Sequence, residues 1–382
     1  MPSTILLIVI YIAFISLGLP DSLLGTAWPS MRSTLKLPLE AAGIFISITT
    51  LSTAISSFVS GHVISRLGTG KVTFISCVLT GSMLLGYSLA PSYLWLLILT
   101  IPLGFGAGAV DTGLNNYVAK YFSSRHMSWL HCFWGVGASL GPSIMTLAIT
   151  QANSWRIGYR VIGFIQLSLS VILLITLPLW KEKETHQEHT EQTKNVHGNV
   201  LKNMGVWLSI IAFPLYIGIE AGTGVWLGSL LVEGRGIDQV TAGLWISLFY
   251  VSITVGRFLS GLITDKFSNR QMIRGGLIIA IAGAALLTLP VKALILPGIV
   301  LIGLGCAPVF PCMIHETPRR FGNAQSEIIT GYQVGMAYLS GVAIIPLVGL
   351  LAGRVSLETI PACVLVFAVL TLIGTERLNK IT

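Results

Sequence analysis

Apolar runs long enough to cross a bilayer recur about twelve times in this chain, separated by short polar turns, and that recurrence leaves few folds open. A helix needs about 20 such residues to span hydrocarbon, whereas a membrane β-barrel would show segments of roughly ten residues with strict alternation, which the runs lack. Only 10% of the 382 residues are charged and 53% are hydrophobic, too little polar surface to clothe a water-soluble globule. The chain is therefore expected to be an all-α membrane protein with twelve transmembrane helices. They are placed near 4–32, 40–66, 70–91, 93–121, 128–151, 157–180, 205–232, 239–265, 271–290, 293–318, 326–352 and 355–375. The first run lacks a basic leader and a small-residue cleavage site, so it is read as a span and not as a signal peptide.

The net charge of +8 would suggest nucleic acid in a soluble protein; here its distribution carries the information. With the amino terminus and the hydrophilic segment 181–199 on one side, fifteen Lys and Arg fall on that side and seven on the other. The fifteen mark the cytoplasm, which places both termini inside a plasma (bacterial inner) membrane and excludes a nucleic-acid partner. The chain divides into 1–180, a cytoplasmic linker 181–204, and 205–382. His186, His189 and His197 in that linker have no metal-ligand pattern and read as part of a connector. Cys77, Cys132, Cys306, Cys312 and Cys363 lie in apolar runs and read as small core residues, so neither metal nor cofactor is expected.

The halves repeat. "SGHVISRLGTGK" from Ser60 matches "SGLITDKFSNRQ" from Ser260, and "LGFGAGA" from Leu103 matches "IGLGCAP" from Ile302. "LGLPDSLLGTAW", which holds Asp21, has a counterpart in "IGIEAGTGVW", which holds Glu220. Two parallel six-helix repeats are a common plan for secondary transporters, with the solute site where the repeats meet.

These residues resemble the major facilitator superfamily, whose signature between the second and third helices of each half is roughly G-x-x-x-D-[RK]-x-G-[RK]-[RK]. Gly261, Asp265, Lys266 and Arg270 fit it, with Ser268 at the glycine position. In the first copy Gly61, Arg66, Gly68 and Lys71 fit, and Ser65 replaces the acid, which removes a charge relay there. The resemblance implies the major facilitator fold and an inner gate served by Gly61, Arg66, Gly261, Asp265, Lys266 and Arg270. An acid in the first helix, "GAGAVDTGLNN" in the fourth and "YIGIEAGTGVW" in the seventh resemble the fucose:proton symporter branch and its sodium-coupled sugar relatives.

Charge at mid-membrane costs about 2.5–3.5 kcal/mol on insertion scales, so buried acids face a wet chamber or a partner. Three are placed there: Asp21, Asp111 and Glu220. Pro20 frees a carbonyl near residue 16 and bends the first helix beside Asp21. Asp111 and Asn115 share a helix face, as do His131 and Trp134. Asp21, Asp111, Glu220 and His131 are the candidate proton-coupling groups; the alternative is a cation pair that only holds helices together for Asp21 and Glu220, and a structural hydrogen bond for Asp111 and His131. Trp28, Asn115, Trp134, Trp226, Trp245, Tyr332 and Gln333 are the candidate solute contacts, because aromatic faces stack on sugar C–H groups and amides read hydroxyls. Trp95, Trp155, Trp180 and Trp207 sit near span ends and read as an interfacial belt. Arg257 is read as a gate residue or counter-ion, a purely structural role being the alternative, and His315 and Glu316 are expected to be solvated.

The expected function is secondary active transport, without enzymatic activity. A small polar solute, a monosaccharide, is carried by proton-coupled symport with alternating access, sodium being a variant coupling ion. A carboxylate in a water-poor chamber holds its proton more readily at ordinary pH, which suits that task. The competing expectation is a proton-antiporting exporter of drugs or amphipathic metabolites. A monomer in the lipid bilayer is expected, its other partners being the solute and the ion.

Overall fold

The computed structural model describes residues 4–21, 23–37, 41–180 and 200–382; the expectations for the histidines of the linker fall outside the described residues. The helices are α1 (Thr4–Asp21), α2 (Leu23–Leu35), α3 (Ala41–Leu67), α4 (Thr69–Ser88), α5 (Tyr93–Tyr121), α6 (Ser124–Ala152) and α7 (Trp155–Thr176) in the first half. The second half holds α8 (Met204–Ser229), α9 (Gln239–Ile263), α10 (Asn269–Thr288), α11 (Lys292–Cys306), α12 (Val309–Phe321), α13 (Asn323–Arg354) and α14 (Thr359–Ile381). Twelve helical stretches are long and apolar enough to cross a membrane, and no strand occurs among the described residues. The chain is thus a multi-pass membrane protein of all-α class.

Two spans depart from single rods. The first is built from α1 and α2, and the tenth breaks between α11 and α12 at Ala307 and Pro308. Ala307 and Pro308 keep helical backbone angles, but Pro308 has no amide to donate to the Leu304 carbonyl, so the ladder is interrupted where the sequence puts the proline.

By its contacts the chain forms two units. Residues up to Tyr117 and those from Leu130 through the rest of the first half form one; Val118–Trp129, the turn between α5 and α6, groups with the second half.

The core of the first unit contains Leu23, Met31, Leu84, Tyr87, Trp155 and Tyr159, with Tyr87 edge-on to Tyr159 at 5.3 Å between centroids. Two tryptophans differ from expectation here. Trp155 is 2% exposed and Trp180 6%, so both are core residues, whereas Trp95 and Trp207 are 45% and 44% exposed and suit an interfacial belt. Trp155 starts its helix but turns inward, where the Arg156 guanidinium lies 4.4 Å from its ring centroid.

The sequence repeat is also a packing repeat. A Cβ added to Gly104 would lie 2.8 Å from the Thr49 carbonyl oxygen and 2.7 Å from Ser52 Cβ; one added to Gly303 would lie 2.7 Å from the Phe249 carbonyl oxygen and 2.8 Å from Ser252 Cβ. Thr49 and Phe249, like Ser52 and Ser252, are equivalent under the repeat. In both units the glycine lets the helix backbones touch, the usual way to pack helices that gain nothing from hiding apolar surface in lipid.

The signature turn is made differently in its two copies. Gly68 has φ +82°, a conformation a side chain resists. Ser268 sits at φ −67° and needs no glycine; it caps α10 through a reciprocal capping box with Gln271.

Candidate functional site

In the first unit the site begins with Pro20. Its missing amide strands the Ser16 carbonyl four residues earlier, and Gln166 of α7, 3% exposed, takes up that acceptor. Gln166 Nε2 donates to the Ser16 carbonyl at 2.7 Å, and Ser16 Oγ donates back to Gln166 Oε1 at 2.5 Å. A buried carbonyl is thereby satisfied although Pro20 offers it no amide. Gln166 is the one large amide in the apolar run of α7, and that was its signal in the sequence.

Glycines then bring α1 against α6. A Cβ at Gly18 would stand 2.8 Å from the Ala138 amide nitrogen, and one at Gly137 2.8 Å from the Ile15 carbonyl carbon. This approach sets Trp134 beside Asp21, whose Oδ2 accepts from the indole Nε1–H at 2.9 Å. Asp21 is exposed, and that indole is its only hydrogen-bond partner among the described residues.

Asp111, 8% exposed, lies within electrostatic reach of Asp21 and accepts from Asn115 Nδ2 at 2.8 Å. Asn115 is fully buried, and its Oδ1 stands 3.1 Å from His131 Nε2. Because Nδ2 also donates to the Asp111 carbonyl at 2.9 Å, Oδ1 is the amide atom facing the histidine. An amide oxygen only accepts, so His131 carries a proton on Nε2. Phe14 meets the imidazole edge-on at 5.6 Å. Helices α1, α5 and α6 thus gather Asp21, Asp111, Asn115, His131 and Trp134 in one unit.

The second unit treats its acid otherwise. Arg257 Nη2 donates to both carboxylate oxygens of Glu220, at 2.9 and 3.0 Å. The fully buried Tyr216 hydroxyl also bonds Glu220 and stands 3.0 Å from the Cys306 carbonyl. Expected to face an open space, Glu220 is instead the acidic half of an ion pair, and Arg257, 7% exposed, is its counter-ion.

The signature's second copy is paired as well. Asp265 is ion-paired with Arg125 in the first turn of α6, and Lys120 in the last turn of α5 meets Glu327 at 2.5 Å. Gly261 lets the Trp129 indole lie against α9. Lys266 is exposed; Arg270 reaches Glu316 at 3.6 Å. In the first copy Ser65 turns back on the His62 carbonyl at 2.9 Å, and Arg66 is exposed; Gly61 is buried.

Glu316 and His315 are not solvated. Glu316 is 2% exposed, 3.0 Å from Arg319 and 3.8 Å from Arg320, and accepts from Asn269 at 3.0 Å. His315 bridges Asn269 and the Phe122 carbonyl, each at 2.8 Å. A helix end crowded with arginines holds the carboxylate inward, which a reading of hydrophilicity alone misses.

Several expected solute contacts have structural settings. Trp28 is 6% exposed in the apolar core of the first unit. Trp226 donates its indole N–H to the Ile345 carbonyl at 2.9 Å and lies across Gly349. Tyr332 packs on Val200, Val206, Ile210 and Ile329. Gln333, 1% exposed, accepts from Thr317 at 2.9 Å and donates to Ser209 at 3.1 Å. Trp245 is half-buried on α9.

Comparison with known proteins follows the same lines. The glucose/mannose transporter of Bacillus subtilis is 28% identical over 240 residues, covering 59% of this chain and 58% of that protein. A probable nitrate transporter of Staphylococcus epidermidis is 28% identical over 258 residues, covering 66% of this chain and 62% of its own length. The chain therefore spans about three-fifths of these curated relatives. The crystal structure of the E. coli fucose:proton symporter superposes with a TM-score of 0.84 at 13% identity, covering 99% of both chains, which shows a shared fold. The Major Facilitator Superfamily model matches residues 10–346. With twelve membrane-length helices and a signature turn in each half, the chain belongs to the Major Facilitator Superfamily.

Proposed function

We propose that this transporter is a proton-coupled symporter of a small polar solute, a monosaccharide, working by alternating access. The observation that carries the reading is the setting of Asp21, an exposed carboxylate next to Pro20 at the end of α1, held by one indole N–H and close to the Asp111–Asn115–His131 chain. A carboxylate with so few fixed partners can take up and release a proton, and in its neutral form can donate to a solute hydroxyl. Asn115 and Trp134 supply an amide and an indole face suited to a sugar ring. In this reading Asp21 and Asp111 carry the proton, His131 assists, and the Glu220–Arg257 pair stays charged throughout. The printed names of two relatives, a glucose/mannose transporter and a fucose:proton symporter, support the solute class and the ion.

The inner gate is assigned to the signature residues Gly61, Arg66, Gly261, Asp265, Lys266 and Arg270, with Arg125 opposite Asp265. The excess of cations on the linker side supports cytoplasmic termini, and a bacterial inner membrane is the setting proposed. Uptake of radiolabelled glucose, mannose, fucose and xylose into proteoliposomes under an acid-outside gradient tests the proposal. Accumulation that collapses with a protonophore, and in Asp21→Asn, is the expected result. Uptake indifferent to the gradient, or accumulation that fails when choline replaces sodium, excludes proton coupling; efflux in the opposite sense identifies an exporter.

A further inference from the structure

Helix α9 has three faces distinguishable by what its residues meet. Phe249, Ile253 and Ser260 are buried in the unit. Leu244, Leu248, Val251, Val255 and Leu259 are exposed and apolar, the composition of a surface that meets lipid. A third stripe, Tyr250, Thr254, Arg257 and Gly261, steps by four, three and four residues, so its members stand above one another. It lies roughly 130° around the helix from the middle of the apolar face.

This stripe is polar and only partly buried. Tyr250 is 50% exposed and Thr254 is exposed. Below them Arg257 pairs with Glu220 of α8, whose side chain is 20% exposed. The Tyr250 hydroxyl lies where a Cβ on Gly224 would be, one turn beyond Glu220, and its ring rests 5.2 Å from Phe249. A phenol, a threonine hydroxyl and an ion pair in line form a surface ill suited to hydrocarbon, and an apolar face beside it already serves that purpose.

We infer that Tyr250 and Thr254 line the solute path of the second unit and touch the transported solute. Tyr250 presents a ring face to sugar C–H groups and a hydroxyl to a sugar oxygen. The Thr254 hydroxyl, which donates to the Tyr250 carbonyl at 3.0 Å, adds a polar oxygen one turn along the same stripe. They take the place expected of Trp226, whose N–H is spent on Ile345. The inference rests on the transport reading but not on the identity of the coupling ion.

Cysteine replacements at 250, 254, 251 and 255, made singly in the full chain and reconstituted, separate the faces. A charged methanethiosulfonate attacks thiolates in water, so Tyr250→Cys and Thr254→Cys should label about tenfold or more faster than Val251→Cys and Val255→Cys, the parent chain giving the background. Equal rates on the two faces overturn the inference. The transported monosaccharide, radiolabelled glucose or mannose in the first instance, should slow labelling at 250. Tyr250→Ala should raise KM about tenfold with kcat little changed, and Tyr250→Phe should fall between. Transport with neither protection nor a KM change overturns the solute contact. A gradient-insensitive uptake sinks the coupling proposal and leaves this labelling pattern as it was.

Discussion

Asp21 and Glu220 occupy matching places in the two repeats and live in opposite circumstances. Asp21 is exposed and held by a single indole N–H, while Glu220 is clasped by Arg257 and Tyr216. A duplicated bundle has thus kept an acid twice and given it two settings. In the second unit the carboxylate is fixed by a cation, and neutralising it would strand Arg257. In the first unit, among the described residues, a single neutral donor, the Trp134 N–H, and no cation steadies the charged form of Asp21, so a group proposed to exchange protons is separated from one that holds helices together.

The largest effect should come from breaking the paired side. Arg257→Gln leaves a largely buried carboxylate without its cation and should cost about 3–5 kcal/mol, read as a lowered unfolding temperature in detergent. Adding Glu220→Gln should restore most of that loss. If the single variant is as stable as the parent, the pair does not hold α8 to α9 and the contrast fails.

A smaller effect tests how the first unit supports its open acid. Gln166→Leu leaves the Ser16 carbonyl without a partner and should cost about 1–3 kcal/mol. Pro20→Ala returns an amide to that carbonyl, so the double variant should be less damaged than the sum of the singles. Additive losses in unfolding measurements would show that the two residues act independently.

The smallest structural effect belongs to Asp21→Asn. Asparagine still offers an oxygen to Trp134, so stability should stay within about 0.5 kcal/mol, while gradient-driven accumulation is lost. A stability loss as large as that of Arg257→Gln would place Asp21 in the same structural class as Glu220 and erase the comparison.

Helix number and the repeat of the signature turn were legible because they rest on composition and spacing, which the bilayer constrains severely. Ser65 and Ser268 were visible as departures from the signature, and each has found other work, one turned back on its own helix and the other capping the next. The pairing Asp111–Asn115 followed from helical spacing alone. Aromatic side chains were not legible in the same way. Trp28, Trp155 and Trp226 point where neighbouring helices leave room, and that is decided by residues far off in sequence such as Gly349. Glu316 was misplaced for the same reason, since Arg270, which draws it inward, arrives from another helix.

The Gln166 side chain that completes the ladder at Pro20 has one more consequence. Because the bond that α1 lacks at Pro20 is supplied from α7, exchanging that single amide should change how firmly the end bearing Asp21 is held, without altering the acid, the proline or the cargo-facing wall. Sensitivity of turnover to that remote position would mark the joint as a mechanical adjustment point.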